Sequence, residues 1–478
     1  MSTLLPLGFR VKVASDVRVL SGGRVLIGGS PTRVVRLSAR ALQLIDGGSV
    51  VVVDESSRLL ADRLLAGNLA QPVLIGTRCR DAELTVVIPV RDRAEQLDRL
   101  LARLRPTLDC VVVDDASCRP GVVAAVARRH GARLIPLTRN QGPSAARNAG
   151  LRVATTPYVA FVDSDVEADA ATLTTLCEHF TDPLVSAVAP RVRGVSRSSS
   201  PRWFQRYDES SQSVGLGRRQ SLVQPGSTVS WLPSACLLVR RDLLDDGFDE
   251  GMRVGEDVDL VWRLVDRGTR VRYDGESEVL HESRDTLQGW LGRKAFYGSG
   301  GALLAQRHGR RVAPAAFSPI YAVAVVALLA QRWWSGPVAA ACAAITGGRV
   351  RRSLPALPGR SVEASRLAGL GLASAVSQSA ALILRHWWPL AAVTALVSAR
   401  MRRAIVGACL VDALLSPRPP SIGIGAFVLA RRLDDVAYGA GLWAGALRAR
   451  SPQALLIRVT SPGGRRRLRR GQGPRRGD

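Results

Sequence analysis

Between residues 84 and 162 four short apolar runs, at 84–90, 110–114, 133–137 and 158–162, alternate with helical patterns. Alternation of this kind argues for an α/β fold, a parallel sheet with helices covering both faces. The last run, YVAFVDSD, ends in two carboxylates one residue apart. Alternate residues of an extended chain face the same way, so Asp163 and Asp165 can offer oxygens to one divalent cation at the strand's carboxyl edge. Open α/β sheets bind their ligands at that edge. Asp257 and Asp259 form a second D-x-D, but they open a helical run instead of closing a strand.

At 478 residues the chain is too long for one compact core, and about three structural units are expected. Residues 1–80 hold short strand-like runs around 18–20 and 24–27. A helix follows with Ser38 as its cap and Gly47 and Gly48 as its stop. This predicts a small α+β module. Residues 81–310 carry the strand and helix alternation. From 311 to 460 the composition shifts to Ala, Leu and Val with widely spaced arginines. Within that region 312–330 and 367–384 approach the ~20 residues of a membrane span, whereas 387–399 and 404–416 fall short. Arginines occupy nearly every connection, which disfavours simple alternate crossing. Half-inserted hairpins or an interfacial helical bundle suit the pattern better, with the tryptophan pairs 333–334 and 387–388 at headgroup level; a buried soluble helical domain is the alternative. The net charge of +26 ends in a basic tail at 463–478, which on charge alone suits a solvated segment, anionic lipid headgroups or nucleic acid. The seven cysteines form no C-x-x-C pair and fit a reducing cytosol. No export signal is expected from the opening residues.

The residues that carry chemistry lie in the middle region. Pro89 closes the first strand and frees Arg91 and its loop from ladder pairing. Asp114 and Asp115 end the second strand, where a carboxylate can accept from a base or ribose hydroxyl, or can cap the following turn. RNQGPSAARNAG places Gly142 before a helix whose first turns carry Arg147 and Asn148, a helix start plus guanidinium suited to phosphate. GEDVDLVWRL puts Glu256 and Asp257 at another helix start, where acidic residues also suit the macrodipole.

The run IPVRDR, VVVDDAS, N-x-G-P-S-x-A-R-N-x-G, FVDSD and GEDVDLVWRL resembles the inverting nucleotide-sugar glycosyltransferases of the GT-A type, over roughly residues 84–300. The resemblance implies a Rossmann-like central sheet. It also implies that Pro89, Arg91, Asp114, Asp115, Arg147, Asn148, Asp163 and Ser164 line a UDP-sugar site. Asp163 and Asp165 would hold Mg²⁺ or Mn²⁺, with His281 as a further metal ligand or a structural histidine. Asp257 would be the base that deprotonates the acceptor, and Glu256 would position it. Trp231 falls on the acceptor side, as a sugar-stacking face or as core.

Processive polysaccharide synthases of this superfamily carry Q-x-x-R-W after the base. Here neither Gln331-Arg332-Trp333 nor Arg293-Lys294 supplies it, so a polymer channel is not expected. The front module resembles the PqqD-type peptide-recognition domain, with a generic winged-helix-like accessory as the other reading. The combination implies hexose transfer, with glucose expected, to a small peptide-derived acceptor at the cytoplasmic face of the plasma membrane. Lipid headgroups are an expected partner and nucleic acid is not. A lipid- or polysaccharide-directed transferase and an inactive peptide-binding scaffold are the competing readings.

Overall fold

The computed structural model describes residues 4–74, 80–211, 215–244 and 246–460. The basic tail at 463–478 lies outside them. Two compact units result: one built from the chain up to Arg311 together with Arg418–Ser451, the other from Val312–Pro417 with the described residues from Pro452 onward.

In the first unit the N-terminal module contains β1 (Arg10–Val13), β2 (Arg18–Leu20), β3 (Val25–Gly28), β4 (Arg33–Arg36), α1 (Ala39–Gln43), β5 (Ser49–Val51), α2 (Glu55–Ala66) and β6 (Ala70–Pro72). These make two three-stranded antiparallel sheets, β5-β1-β6 and β2-β3-β4. Ser38 caps α1, as expected, by accepting from the Ala41 N–H. The VVR run just ahead of that cap pairs as β4, with Val34 and Val35 opposite Ile27 and Leu26. The module has its own core, with Val11, Leu26, Val52, Leu64 and Leu65 buried.

The larger sheet comprises β7 (Leu84–Val90), β8 (Asp109–Asp114), β9 (Arg133–Pro136), β10 (Tyr158–Val162), β11 (Val166–Glu167), β12 (Val185–Val195), β13 (Ser221–Leu222), β14 (Cys236–Arg240) and β15 (Arg270–Glu282). The helices between them are α3 (Ala94–Leu104), α4 (Pro120–Arg129), α5 (Pro143–Val153), α6 (Ala170–Cys177), α7 (Trp203–Ser211) and α8 (Glu256–Asp266). Strand order is β11-β15-β12-β14-β10-β7-β8-β9, with β13 on β15. The four strands read from sequence are mutually parallel. The sheet as a whole is mixed, since β14 runs antiparallel to both β10 and β12. Nearly every residue of β7 is buried, as for a strand covered on both faces. The chain goes outward from β7 to β8 and β9, then returns to place β10 on the other side of β7. That reversal leaves a crevice beyond Val90, Asp114 and Val162.

Helices α9 (Leu287–Ser299) and α10 (Gly301–His308) complete this stretch. The second unit contributes α11 (Pro319–Ala330), α12 (Ser335–Ser353), α13 (Arg360–Ala381), α14 (Trp388–Val397) and α15 (Ala399–Leu415), plus a two-stranded sheet of β16 (Ala316–Phe317) and β17 (Arg458–Val459). The apolar run at 312–330 is not one long helix. Ser318 caps α11 and Pro319 starts it, leaving 12 residues, about 18 Å, too short to cross a bilayer. Among the described residues, Arg360–His386 is the one helix long and apolar enough to do so.

The last part of the apolar region returns to the first unit as α16 (Ile424–Arg448). It packs on α9 at backbone contact. A Cβ added at Gly441 would stand 1.8 Å from the Ala295 carbonyl oxygen, and one at Gly298 would stand 2.0 Å from that of Tyr438. Lys294 on α9 is buried and reaches Asp434 on α16 at 3.0 Å and Asp208 on α7 at 3.2 Å. A buried ammonium is tolerable only with such partners.

Candidate active site

The crevice is built first by turns that the backbone itself demands. Asp114, the last residue of β8, accepts from the Ser117 N–H at 3.0 Å and the Ser117 hydroxyl at 2.6 Å. Asp115 accepts from the Gln141 N–H at 2.7 Å and the Gly142 N–H at 2.9 Å. Both carboxylates therefore brace the loops around the crevice, and the spare lone pairs on their oxygens are what they offer a ligand. Gly142 has φ +90°, a left-handed conformation that admits glycine without strain, and Pro143 then starts α5. Pro89 is half-buried on β7 opposite Val113, and Arg91 is exposed with its guanidinium 3.8 Å from Asp92.

Asn148 was expected at the nucleotide, but its amide is committed elsewhere. The Nδ2 group donates to the Phe248 carbonyl at 2.8 Å and to Glu250 at 3.0 Å, while Oδ1 accepts from the Phe248 N–H at 2.9 Å. It pins the loop before α8 to α5. Arg147, also expected at phosphate, is buried to 3 % side-chain exposure. Its Nη2 donates to Asp163 at 2.7 Å and its Nη1 to Glu256 at 3.0 Å. Burial would lower the basicity of this guanidinium, but Asp163 and Glu256 outweigh it and raise its pKa above the ordinary value. One cation thus joins the D-x-D turn to the start of α8.

At the end of β10, Asp163 has its N–H on the Ala235 carbonyl, and Ser164 and Asp165 are buried. Arg93 donates to Asp165, Arg284 lies 3.6 Å from the same carboxylate, and His281 Nε2 lies 3.6 Å from Oδ1. Burial works to raise the Asp165 carboxyl. The Coulombic pull of His281, Arg93, Arg284 and Arg293 overrides it and holds it at about 2. His281 arrives there because β11 pairs with β15, placing Val166 opposite it.

These donors bear on the expected cation. Among the described residues no three His, Cys, Asp or Glu side chains converge on one point, and Asp163 turns to Arg147. Asp165 and His281 remain as an oxygen and a nitrogen donor 3.6 Å apart. Such a pair fits a hard divalent cation that completes its shell with water and substrate phosphate. Arg93 and Arg284 were not anticipated. Arg93 lies within IPVRDR and Arg284 three residues past His281, so their proximity to recognised residues was the available signal.

At the start of α8, Gly255 has φ +82° and caps the helix, and a Cβ there would meet Leu304 at 2.9 Å. Asp257 is half-buried, accepting from the Val258 N–H at 2.8 Å and the Ser234 N–H at 3.4 Å. Burial, joined by the neighbouring Glu256 charge, pushes its carboxyl up to about 7 against the pull of Val258 N–H and Arg147. A carboxyl near 7 is suited to take a proton at neutral pH. Asp259 does a different job: it binds Arg263 at 2.8 Å and His308 at 2.9 Å, a structural ion cluster. Trp231 is half-buried on the segment leading to Ser234.

The glycosyl transferase family 2 model matches residues 85–248. The pre-mycofactocin glycosyltransferase of Mycobacterium tuberculosis (strain H37Rv) is 40% identical over 467 residues, covering 95% of this chain and 98% of that protein. The chain belongs to that protein's family, within glycosyl transferase family 2. The poly-beta-1,6-N-acetyl-D-glucosamine synthase of Staphylococcus aureus (strain COL) is 24% identical over 212 residues, 43% of this chain and 50% of the synthase. The mannosyltransferase PcManGT from Pyrobaculum calidifontis, in complex with GDP-Man and Mn²⁺, is 22% identical and covers 72% of this chain and 90% of its own, with a TM-score of 0.38, too loose to transfer residue roles. This family 2 transferase has the expected GT-A-type fold, with a mixed sheet where a parallel one was anticipated.

Proposed function

We propose that this family 2 transferase moves a hexose, glucose from UDP-glucose, onto the mycofactocin precursor with inversion, extending a β-linked oligosaccharide. The observation that carries the reading is the Arg147 bridge: Asp163 at 2.7 Å and Glu256 at 3.0 Å share one guanidinium, so donor-side and acceptor-side acids face a common crevice. The acceptor follows from a relative, named for pre-mycofactocin, that matches 95% of the chain, front module included. A PqqD-like role in peptide recognition for residues 1–80 suits that acceptor.

In the proposed reaction Asp257 takes the acceptor hydroxyl proton and the freed oxygen attacks the anomeric carbon. The bond from that carbon to the phosphate oxygen breaks, and its electron pair leaves on UDP. Arg93 and Arg284 face the departing charge beside Asp165, and Arg147 holds Glu256 at 3.0 Å next to the base. A divalent cation held by Asp165 and His281 would supply Lewis-acid neutralisation of the diphosphate. Exposed apolar side chains in the second unit, among them Trp333, Leu396, Val397 and Leu414, support docking to lipid at the cytoplasmic face of the membrane.

The test is incubation of the full-length protein with UDP-glucose and pre-mycofactocin, followed by mass spectrometry. Successive hexose additions are expected from the wild type and, over the same time, at most a trace from Asp257→Asn. Transfer by the Asn variant within about tenfold of the wild-type rate, or no hexose gain with the wild type, overturns the reading.

A further inference from the structure

Residues 215–234 lie between α7 and β14, and the N-terminal module holds this segment along its length. Asn68, just beyond α2, is buried at φ +56°. Its Oδ1 accepts from the Leu222 N–H at 2.9 Å and its Nδ2 donates to the Leu222 carbonyl at 3.2 Å. One amide therefore does for the outer edge of β13 what a neighbouring strand would do. Gln71 donates to the Gln220 carbonyl at 3.1 Å and accepts from Arg272, a guanidinium with 1% exposure whose Nε has no hydrogen-bond partner among the described residues. Farther along, Ser30 Oγ accepts from the Thr228 N–H at 2.9 Å, and Asp16 pairs with Arg219. The same segment then reaches the catalytic helix. The Ser230 carbonyl accepts from Trp262 Nε1 at 2.7 Å, and the Ser234 N–H donates to Asp257 at 3.4 Å.

We propose that Asn68 is a positioning residue for the acceptor: it clamps β13 so that Trp231 and Ser234 hold the acceptor wall against Asp257, and the N-terminal module thereby sets the aim of the attacking hydroxyl. The inference rests on Asp257 being the base, as proposed above. The module then has two duties. It offers a surface to the acceptor, and it gives shape to a wall of the catalytic crevice. A module tethered only for recognition would not need a buried amide on both backbone groups of a strand in the catalytic sheet. Unpairing those groups leaves buried donors and acceptors unmet.

The positive φ of Asn68 allows a clean perturbation. Asn68→Gly keeps the backbone conformation at no steric cost while deleting both hydrogen bonds. Asn68→Asp keeps the acceptor for the Leu222 N–H and loses the donor. With the full-length chain, UDP-glucose and pre-mycofactocin, Asn68→Gly is expected to lower acceptor kcat/KM about 10-fold, the worth of one to two hydrogen bonds. The UDP dissociation constant, measured by calorimetry, should stay within about twofold, and Asn68→Asp should recover part of the loss. Ser30→Ala, at the margin of the clamp, provides a milder variant and should lower acceptor kcat/KM about two- to threefold. Acceptor kinetics unchanged in both Asn68→Gly and Ser30→Ala overturn the proposal. So does an equal loss of UDP affinity, which marks general loosening. Asp257→Asn, run alongside, separates the two failures: if it is inactive while Asn68→Gly behaves as wild type, the clamp alone is wrong, and if it is active, the base assignment is wrong.

Discussion

Replacing Asp257 by Asn tests the base by two independent readouts. A carboxyl held at about 7 instead of 3.8 disfavours the ionised folded protein by on the order of 4 kcal/mol. The folded pKa lies above the unfolded one, so the group costs nothing below pH ~4, where both states are protonated. Stability then falls as the pH rises and levels off above ~7. Asn carries no such cost. In urea denaturation the variant should gain on the wild type by about 3 kcal/mol between pH 4.5 and pH 8. Over the same interval wild-type kcat/KM for the acceptor should climb through an acid limb near pH 7 and then flatten, because only the carboxylate accepts the proton. The variant should lose 10²–10⁴ in rate. A stability difference independent of pH, together with an acid limb retained by Asp257→Asn, refutes both the buried charge and the base.

Arg147→Met should cost about 3–5 kcal/mol in chemical denaturation, because Asp163 and Glu256 are left facing each other without their shared cation; a loss below about 1 kcal/mol contradicts the bridge. Gly441→Ala should lower stability by about 2 kcal/mol or more, since the methyl would stand 1.8 Å from the Ala295 carbonyl and force α9 and α16 apart; an unchanged melting temperature rejects that packing. Chelation of divalent ions should weaken UDP binding in calorimetry, Mn²⁺ should restore it, and His281→Ala should blunt the response. Identical affinity with and without chelator removes Asp165 and His281 as donors.

The strands β7, β8, β9 and β10 were legible because a strand covered on both faces reads as a continuous apolar run, and the acids at their ends marked the crevice. What the side chains do there was less legible. Asp115 braces a loop 27 residues away, and Arg147 meets Glu256 across 109 positions, contacts that no local pattern encodes. Asn148 shows the same limit, since its partners lie about 100 residues on. Asn68 resembles an ordinary helix-ending asparagine until its amide is seen on Leu222. For α16 a signal was present: small residues at 441 and 445 mark a helix face able to approach another backbone closely, but the surrounding apolar composition pointed to lipid instead.

The return of Arg418–Ser451 to the first unit separates the order of synthesis from the order of assembly. A ribosome releases β7–β15 and α9 more than a hundred residues before the helix that seats against Gly298 and Lys294. Until it emerges, Trp290 and the Lys294 ammonium lack their neighbours Phe427 and Asp434, so the sugar-transferring half matures last, after the intervening helices have been made. A fragment cut at Arg311 would hold all the acids of the crevice and still be an unfinished enzyme.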